Sequence, residues 1–394
     1  MGSNQAGQET EVAVKALRPY GTSIFTEIPV LAKAHDAVNL SQGFPDVDGP
    51  KDIRERAAEA ILRGPNQYAL SAGILSLREA VARKMDRFYG VAVDPETQVT
   101  VTSGATEGLC ATLLGILEPE DEVILIEPAY DTYGPISALA HARIRYVSLE
   151  GDTFRLPKEK LVETFSPRTK AILINNPQNP CCKVFTREEL TFIGDLCRRH
   201  NAYAIGDEVY EHLVYDGKKH ETLLSIPSLR ERAFVISSTA KTFSMTGWKV
   251  GYVIASQALS KAVRMSHQFI VFCGQSALQE AMAYAMDFPD TYYSQLLSDY
   301  TRKRDLLSEA LGELGFRVLH AEGTYYVVAD IAPLGFDDDL AFCRMLPEKA
   351  GVAAIPCSVF WEKRHRGRHL IRFCFAKKDD ILYEGIERLR RWIG

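Results

Sequence analysis

The chain has 394 residues, too many for one small hydrophobic core, so we expect two domains or one large domain with an appendage. Its 46 basic and 51 acidic residues give a net charge of −5, which argues against nucleic acid or an anionic membrane surface as a partner. No apolar run approaches the roughly 20 residues that a membrane span needs. Residues 1–15 are polar, lack a signal-peptide core and are expected to form a mobile tail.

The eight cysteines are scattered along the chain and form no CxxC pair. Their spacing matches no zinc site, so we expect no metal. A chain of this size needs no disulfide to hold it together. We therefore expect reduced thiols and a cytoplasmic protein.

Apolar runs with strand character alternate with amphipathic helical stretches through the first two-thirds of the chain. Several of the runs are nearly continuous in Val, Ile and Leu, as in strands that are buried on both faces. The candidate strands are residues 98–102, 122–126, 143–148, 171–175, 203–207, 234–238 and 250–255. Candidate helices at 107–117, 133–140 and 187–200 lie between them. This alternation predicts an α/β fold with a mostly parallel sheet and helices on both faces.

After about Ser256 the pattern changes. A long helical stretch at 276–314 comes first, then strands at 325–330 and 369–375, interleaved with helices. A last helix is predicted at 381–392. This order is typical of a smaller α+β unit.

We therefore expect three parts in the chain. Residues 49–285 form a large α/β domain, and residues 286–394 form a small C-terminal domain. The N-terminal segment 1–48 is expected to pack on the small domain.

Three polar segments follow predicted strands at their carboxyl ends. The first runs from an apolar strand into a Pro/Asn turn at Asn179. The second ends at Asp207, with Tyr210 three residues later. The third carries Lys241 in a Ser/Thr/Gly-rich loop and a second lysine, Lys249, eight residues on. Strand ends of this kind are where open α/β sheets bind their ligands.

In combination, these segments resemble the fold-type I enzymes that use pyridoxal 5′-phosphate (PLP), of the aspartate aminotransferase type. The nearest likeness is to the kynurenine aminotransferase, glutamine transaminase K and cysteine-S-conjugate β-lyase group. It covers nearly the whole chain, from residues 40–46 (LSQGFPD) to 371–375 (IRFCF). The resemblance implies PLP as cofactor, a seven-stranded sheet and a smaller α+β domain.

The resemblance also implies roles for the residues of these segments. Lys241 would hold PLP as a Schiff base and, once freed, act as general base and acid. Asp207 would keep the ring nitrogen protonated through a charge-assisted hydrogen bond. Asn179 and Tyr210 would donate to the phenolic oxygen of the cofactor and favour its ionised form.

The cofactor phosphate needs cations, hydroxyl groups and a helix N-terminus. Residues 103–108 (SGATEG) stand between a predicted strand and a helix, so the backbone N–H groups of Ala105 and Thr106 can face an anion. By resemblance, Ser238 and Lys249 are the other phosphate ligands. Lysine supplies a point charge there, without the fork of a guanidinium group.

Further positions match the family's ring-stacking and substrate-binding residues. Tyr130 corresponds to the aromatic residue that stacks on the cofactor ring. Arg372 corresponds to the arginine that binds the substrate α-carboxylate, for which a bidentate guanidinium is well suited. Gly43 and Asn179 correspond to further contacts with the substrate.

In the family the active site lies at a dimer interface, so the resemblance implies a homodimer with shared sites. Tyr68 resembles the tyrosine that reaches the phosphate of the neighbouring subunit. Phe272 resembles an aromatic residue that lines the neighbour's substrate pocket. Core packing is the alternative for both side chains.

The sequence departs from the family pattern near the expected substrate pocket. The usual Asn-Pro-Thr-Gly turn reads Asn-Pro-Cys-Cys here, so Cys182 replaces a glycine that tolerates positive φ. Either the turn is reshaped or Cys182 carries strain, and the pair Cys181-Cys182 could also form a vicinal disulfide. Tyr325 and Tyr326 stand near the expected pocket.

The sequence thus predicts an aminotransferase that moves the amino group of an L-amino acid to a 2-oxo acid by a ping-pong route. The expected donors have aromatic, sulfur-containing or other uncharged side chains, because no second arginine is placed for a distal carboxylate. Two alternatives remain. One is a PLP enzyme of β- or γ-elimination, replacement or cyclisation, and the other is a non-catalytic PLP-fold sensor or partner protein.

Overall fold

The centre of the molecule is a seven-stranded sheet in the order β2-β8-β7-β6-β5-β3-β4, seen in a computed structural model that describes residues 12–21 and 23–393. Its strands are β2 (Val99–Thr102), β3 (Glu122–Glu127), β4 (Arg143–Ser148), β5 (Thr169–Asn175), β6 (Tyr203–Asp207), β7 (Ala233–Ser238) and β8 (Gly251–Ala255). All neighbours are parallel except that β8 runs antiparallel to β7 and to β2. The predicted mostly parallel sheet is therefore confirmed, with strand bounds shifted by two residues at most.

Helices cover both faces of this sheet because its strands are apolar on both sides. In β5, Ile172 and Ile174 pack into one core, whereas Ala171 and Leu173 pack into the other. Successive side chains of a strand point to opposite faces, so an unbroken apolar run fills two cores at once. The helices up to residue 286 are α1 (Ile24–Ala34), α2 (Lys51–Arg63), α3 (Leu75–Tyr89), α4 (Gly104–Ile116), α5 (Tyr133–Leu139), α6 (Lys158–Thr164), α7 (Arg187–His200), α8 (Gln257–Ile270) and α9 (Ser276–Met286).

The long helical stretch predicted at 276–314 is divided in the structure. It forms α9 and then α10 (Asp290–Glu313), separated by a short turn that ends at Pro289. Proline has no backbone N–H and clashes with the preceding turn of a helix, so it stands in extended conformation at the N-cap of α10. A single helix was therefore the wrong prediction for this stretch.

A second, four-stranded antiparallel sheet follows, in the order β12-β13-β10-β9. Its strands are β9 (Arg317–Leu319), β10 (Tyr326–Asp330), β12 (Ile355–Pro356) and β13 (Leu370–Cys374). The helices α11 (Asp339–Lys349) and α12 (Asp379–Ile393) complete this part.

The N-terminal part touches this second unit through a short parallel pair. Strand β1 (Val38–Asn39) runs beside β11 (Val352–Ala353), and α1 packs against α11. The three domain limits remain a prediction, and the predicted tail 1–15 lies mostly outside the described residues.

The described residues contain no helix that is long and apolar enough to cross a membrane. Residues 12–21 and 23–393 also contain no group of three or more His, Cys, Asp or Glu side chains that could hold a metal ion. All eight cysteines are free thiols.

Candidate active site

A cleft of about 300 Å³ opens at the carboxyl ends of the parallel strands. Strands β5, β6 and β7 end there at Asn175, Asp207 and Ser238, and the antiparallel β8 begins there at Gly251. All the site residues predicted from the sequence line this cleft except Tyr68 and Phe272. Those that line it are Gly43, Ala105, Thr106, Tyr130, Asn179, Asp207, Tyr210, Ser238, Lys241, Lys249 and Arg372.

Lys241 stands in the loop that follows β7, and its amine faces the cleft. Its Nζ donates a hydrogen bond of 3.1 Å to the carbonyl oxygen of Gly43. Burial lowers the pKa of Lys241 to about 8, although the charge of the Asp207 carboxylate acts to raise it. Burial therefore favours the neutral amine that a nucleophile requires.

Asp207 ends β6 and is buried at the base of the cleft. Burial raises the pKa of its carboxyl group to about 6, while a hydrogen bond from Tyr133 and the charge of Lys241 act to lower it. The Tyr133 hydroxyl donates to Oδ2 at 2.7 Å, and the backbone N–H of Val209 approaches Oδ1 at 3.4 Å. An anion held this way is well suited to bind a protonated ring nitrogen.

The side chain of Asn179 is oriented by Arg372. The guanidinium Nη1 donates to Oδ1 of Asn179, and the backbone N–H of Asn179 donates to Oδ1 of Asn175 at 2.7 Å. A guanidinium group has no acceptor, so Oδ1 of Asn179 must face it. The Nδ2 donor of Asn179 is therefore turned away from Arg372 and is available to a ligand.

Arg372 lies on β13 and is fully buried. Its Nη2 donates to the carbonyl oxygen of Ser41 at 3.3 Å, and its Cζ lies 3.9 Å from the ring centre of Tyr326. Its Nε has no hydrogen-bond partner, although it is buried. Leaving such a donor unpaired is costly, and an incoming carboxylate would satisfy it.

An anion cradle forms where β2, α4 and β8 meet. Helix α4 begins at Gly104, whose φ is 74°, and the Lys249 amine lies so close that a Cβ on Gly104 would come within 3.1 Å of its Nζ. A Cβ on Gly251 would come within 2.7 Å of the backbone nitrogen of Ala105. Glycine at both positions therefore lets the helix N-terminus and the lysine approach one small anion together.

The turn at Cys181-Cys182 has the backbone conformation that a glycine at position 182 would favour. Cys182 has a φ of 62°, and its Sγ lies 3.2 Å from the carbonyl oxygen of Tyr326. Thr324, whose φ is 70°, places its hydroxyl 3.4 Å from the same sulfur. The turn is therefore not reshaped, and Cys182 adopts the positive φ that favours glycine.

Tyr68 and Phe272 lie outside the cleft of their own chain. Their rings meet edge to face at 5.4 Å, and they remain 85% and 48% exposed. Leu70, two residues after Tyr68, and Met265 and Phe269, on the helix α8 that precedes Phe272, are exposed as well. We call these five side chains the apolar face. Core packing, the alternative weighed for Tyr68 and Phe272, is absent in this chain.

Two tyrosines of the site were not assigned from the sequence. The Tyr133 hydroxyl donates to Asp207. The only feature of the sequence that pointed to Tyr133 was its position three residues after Tyr130, at the start of a predicted helix. The hydroxyl of Tyr326 lies 3.0 Å from that of Tyr210. Both contacts join residues that are far apart in the chain, so local pattern could not reveal them.

Comparison with known proteins gives a consistent result. The family described as aminotransferase class I and II matches residues 35–389. The chain is 43% identical to a probable N-succinyldiaminopimelate aminotransferase of Mycobacterium tuberculosis, over 96% of this chain and 98% of that protein. It is 40% identical to a methionine aminotransferase of Escherichia coli, over 94% and 96% of the two chains.

Solved structures agree with these matches. The N-succinyldiaminopimelate aminotransferase structure from Mycobacterium tuberculosis superposes with a TM-score of 0.94 at 44% identity, covering 96% of this chain and 100% of that chain. The Escherichia coli structure, described by a methionine aminotransferase function, gives a TM-score of 0.93 at 40% identity, with coverages of 96% and 99%.

Proposed function

Because the chain belongs to the class I and II aminotransferases, which use PLP to move an amino group between an amino acid and a 2-oxo acid, we propose that Lys241 carries the cofactor and that the donors have uncharged side chains. The observation that carries this proposal is the convergence of Lys241, Asp207 and Arg372 on one cleft. They are a lysine of lowered pKa, a buried carboxylate and a buried guanidinium with a free donor.

Bound PLP supplies a carbon that takes the amino group and a ring that accepts electrons from the substrate Cα. Lys241 would hold that carbon through Nζ, and the same amine, when free, would take the proton from the substrate Cα and deliver it to the cofactor carbon. Asp207 keeps a proton on the ring nitrogen through its carboxylate. Asn179 and Tyr210 donate to the phenolic oxygen, through Nδ2 and the hydroxyl group respectively.

The anion cradle binds the phosphate. Ala105 and Thr106 offer backbone N–H groups at the start of α4, and Lys249 adds a positive charge. Ser238, at the end of β7, would add a hydroxyl group, and the ring of Tyr130 would stack on the cofactor. Together these groups would hold the cofactor beside Lys241 in the same cleft.

Arg372 binds the α-carboxylate through its Nε and one terminal nitrogen, and Gly43 lines the same part of the cleft. The charged side chains of the cleft indicate that the amino acid donors carry uncharged side chains. The cations lining the cleft are Lys241, Lys249 and Arg372, and each already has a role. The rings of Phe25 and Phe44 also line the cleft. A second carboxylate would therefore be buried there without a partner.

The relatives point to two donor classes. One match is named for methionine and another for N-succinyldiaminopimelate, which carries additional carboxylates. Among the described residues of this chain that line the cleft, no cation is left for a distal carboxylate, which favours the methionine-like class. We therefore propose sulfur-containing and aromatic amino acids as donors.

A donor panel tests this proposal. The kcat/KM values of methionine and phenylalanine are measured beside those of aspartate and N-succinyl-LL-diaminopimelate, with one fixed 2-oxo acid as acceptor. We expect the uncharged donors to lead by about 100-fold, because an unpaired buried charge costs on the order of 3 kcal/mol. Preference for either multicarboxylate would contradict the proposed donor class.

We also propose a homodimer that is formed through the apolar face. Tyr68 and Phe272 would then line the partner's site, Tyr68 at its phosphate. Phe269 is 86% exposed, which is unusual for so large an apolar ring in a monomer. Phe269→Glu should give monomers in sedimentation velocity, whereas Val162→Glu, on the exposed side of α6, should not. Dimers that persist in Phe269→Glu at low micromolar concentration would contradict this interface.

A further inference from the structure

Tyr326 stands between two residues of the proposed active site. Its hydroxyl lies 3.0 Å from the hydroxyl of Tyr210, and both side chains are buried. Its ring covers the guanidinium of Arg372 at 3.9 Å. A Cβ on Gly43 would come within 1.9 Å of the Tyr326 hydroxyl, so only glycine there leaves room for it.

We propose that Tyr326 is a positioning residue for Tyr210: its hydroxyl donates to the Tyr210 oxygen, so that the single proton of Tyr210 is directed to the phenolic oxygen of the cofactor. This inference rests on the proposed role of Tyr210. It assigns a function to a hydroxyl that the amino-group transfer described above does not use.

The direction of the bond follows from the proton count. A phenol has one proton and can accept further hydrogen bonds through its oxygen. If Tyr210 donated to Tyr326, its oxygen would present only lone pairs to the cofactor oxygen. If Tyr326 donates instead, Tyr210 keeps its own proton for the cofactor, and the bond it accepts polarises that proton further.

The neighbouring groups support this direction. The Tyr325 hydroxyl donates to the carbonyl oxygen of Gly43, whereas the hydroxyl next to the Tyr326 hydroxyl is that of Tyr210, whose oxygen can accept the Tyr326 proton. The cation of Arg372 lies against the Tyr326 ring. Burial raises the pKa of Tyr326 to about 12, and the charge of Arg372 opposes that rise.

Tyr326→Phe is the direct test because phenylalanine keeps the ring over Arg372 and removes only the hydroxyl. The readout is the pH at which the absorbance of the protein-bound cofactor titrates, measured without substrate. A weaker donor to the phenolic oxygen disfavours its ionised form, so we expect this apparent pKa to rise by about half a unit or more. Tyr215→Phe removes another buried hydroxyl nearby, bonded to a backbone carbonyl, and should leave the titration unchanged.

A double-mutant cycle separates positioning from packing. Tyr210→Phe alone should raise the apparent pKa, and Tyr326→Phe should add nothing in that background, because its effect passes through Tyr210. An unchanged titration in Tyr326→Phe, or an equal shift in both backgrounds, would overturn the inference while leaving the role of Tyr210 intact. An unchanged titration in Tyr210→Phe would overturn the role of Tyr210 and this inference with it.

Discussion

The hydrogen bond from Tyr133 to Asp207 gives a prediction about the pH dependence of the enzyme. Asp207 acts as an anion in the proposed mechanism, yet burial raises the pKa of its carboxyl group to about 6 in the protein alone, and a protonated ring nitrogen beside it would lower that value. The Tyr133 hydroxyl, 2.7 Å from Oδ2, is the strongest of the contacts that lower it. Tyr133→Phe removes that contact and keeps the ring.

The magnitude follows from the energy of such a contact. A hydrogen bond to a charged group contributes about 1.5–3 kcal/mol, and 1.36 kcal/mol corresponds to roughly one pKa unit, so the pKa of Asp207 should rise by about 1–2 units. Asp207 is protonated below its pKa, so the fraction of active enzyme falls as the pH drops through that value. Tyr133→Phe should therefore lose activity at higher pH than the wild type.

The assay is the pH profile of kcat/KM for one good donor. The acid limb of Tyr133→Phe should move up by about 1–2 pH units, with most of the activity recovered at alkaline pH. Tyr203→Phe, at the opposite end of the same strand, should leave the profile unchanged. An unshifted acid limb in Tyr133→Phe, with wild-type affinity for the cofactor, would refute the reasoning.

Substitutions at three further positions test other parts of the site. Arg372→Lys keeps the charge and loses the fork, so kcat/KM should fall by about 100-fold for every donor alike; a loss confined to one side-chain class would argue against α-carboxylate binding. Lys249→Met should raise the Kd for the cofactor by about 10-fold or more in fluorescence titration, as expected for a lost charge-assisted phosphate contact; unchanged affinity would exclude that contact. Cys182→Gly relieves a positive φ but loses sulfur contacts, so its free energy of unfolding in urea should stay within about 1 kcal/mol of wild type, whereas Cys182→Val should lose about 2 kcal/mol or more; equal stabilities would show that the turn carries no strain.

Much of the fold could be predicted because the strands of a doubly covered sheet are continuous apolar runs. The polar residues at their ends then had to meet at one edge, as Asp207 and Lys241 do. The family match confirms the resemblance to PLP-dependent aminotransferases and the expected cofactor. The individual residue roles and the domain limits stay predictions.

The features of the site that were not predicted depend on tertiary contacts. The contacts of Tyr133 with Asp207 and of Tyr326 with Tyr210 join different elements, so no spacing along the chain reveals them. The break before α10 lies at Pro289. The residues on both sides of this proline have a helical pattern, and a single helix was therefore predicted. The turn at Cys182 kept the backbone of a glycine because the surrounding contacts hold it there.

The most direct test of amino-group transfer at Lys241 is a single turnover without acceptor. PLP-loaded protein is mixed with methionine, and the spectrum and products are followed together, with Lys241→Ala as control. We predict stoichiometric pyridoxamine phosphate and the matching 2-oxo acid in the wild type, and neither in the variant. Release of ammonia or of an eliminated group with the cofactor unchanged would instead indicate a lyase, and full turnover by Lys241→Ala would contradict the role of that lysine.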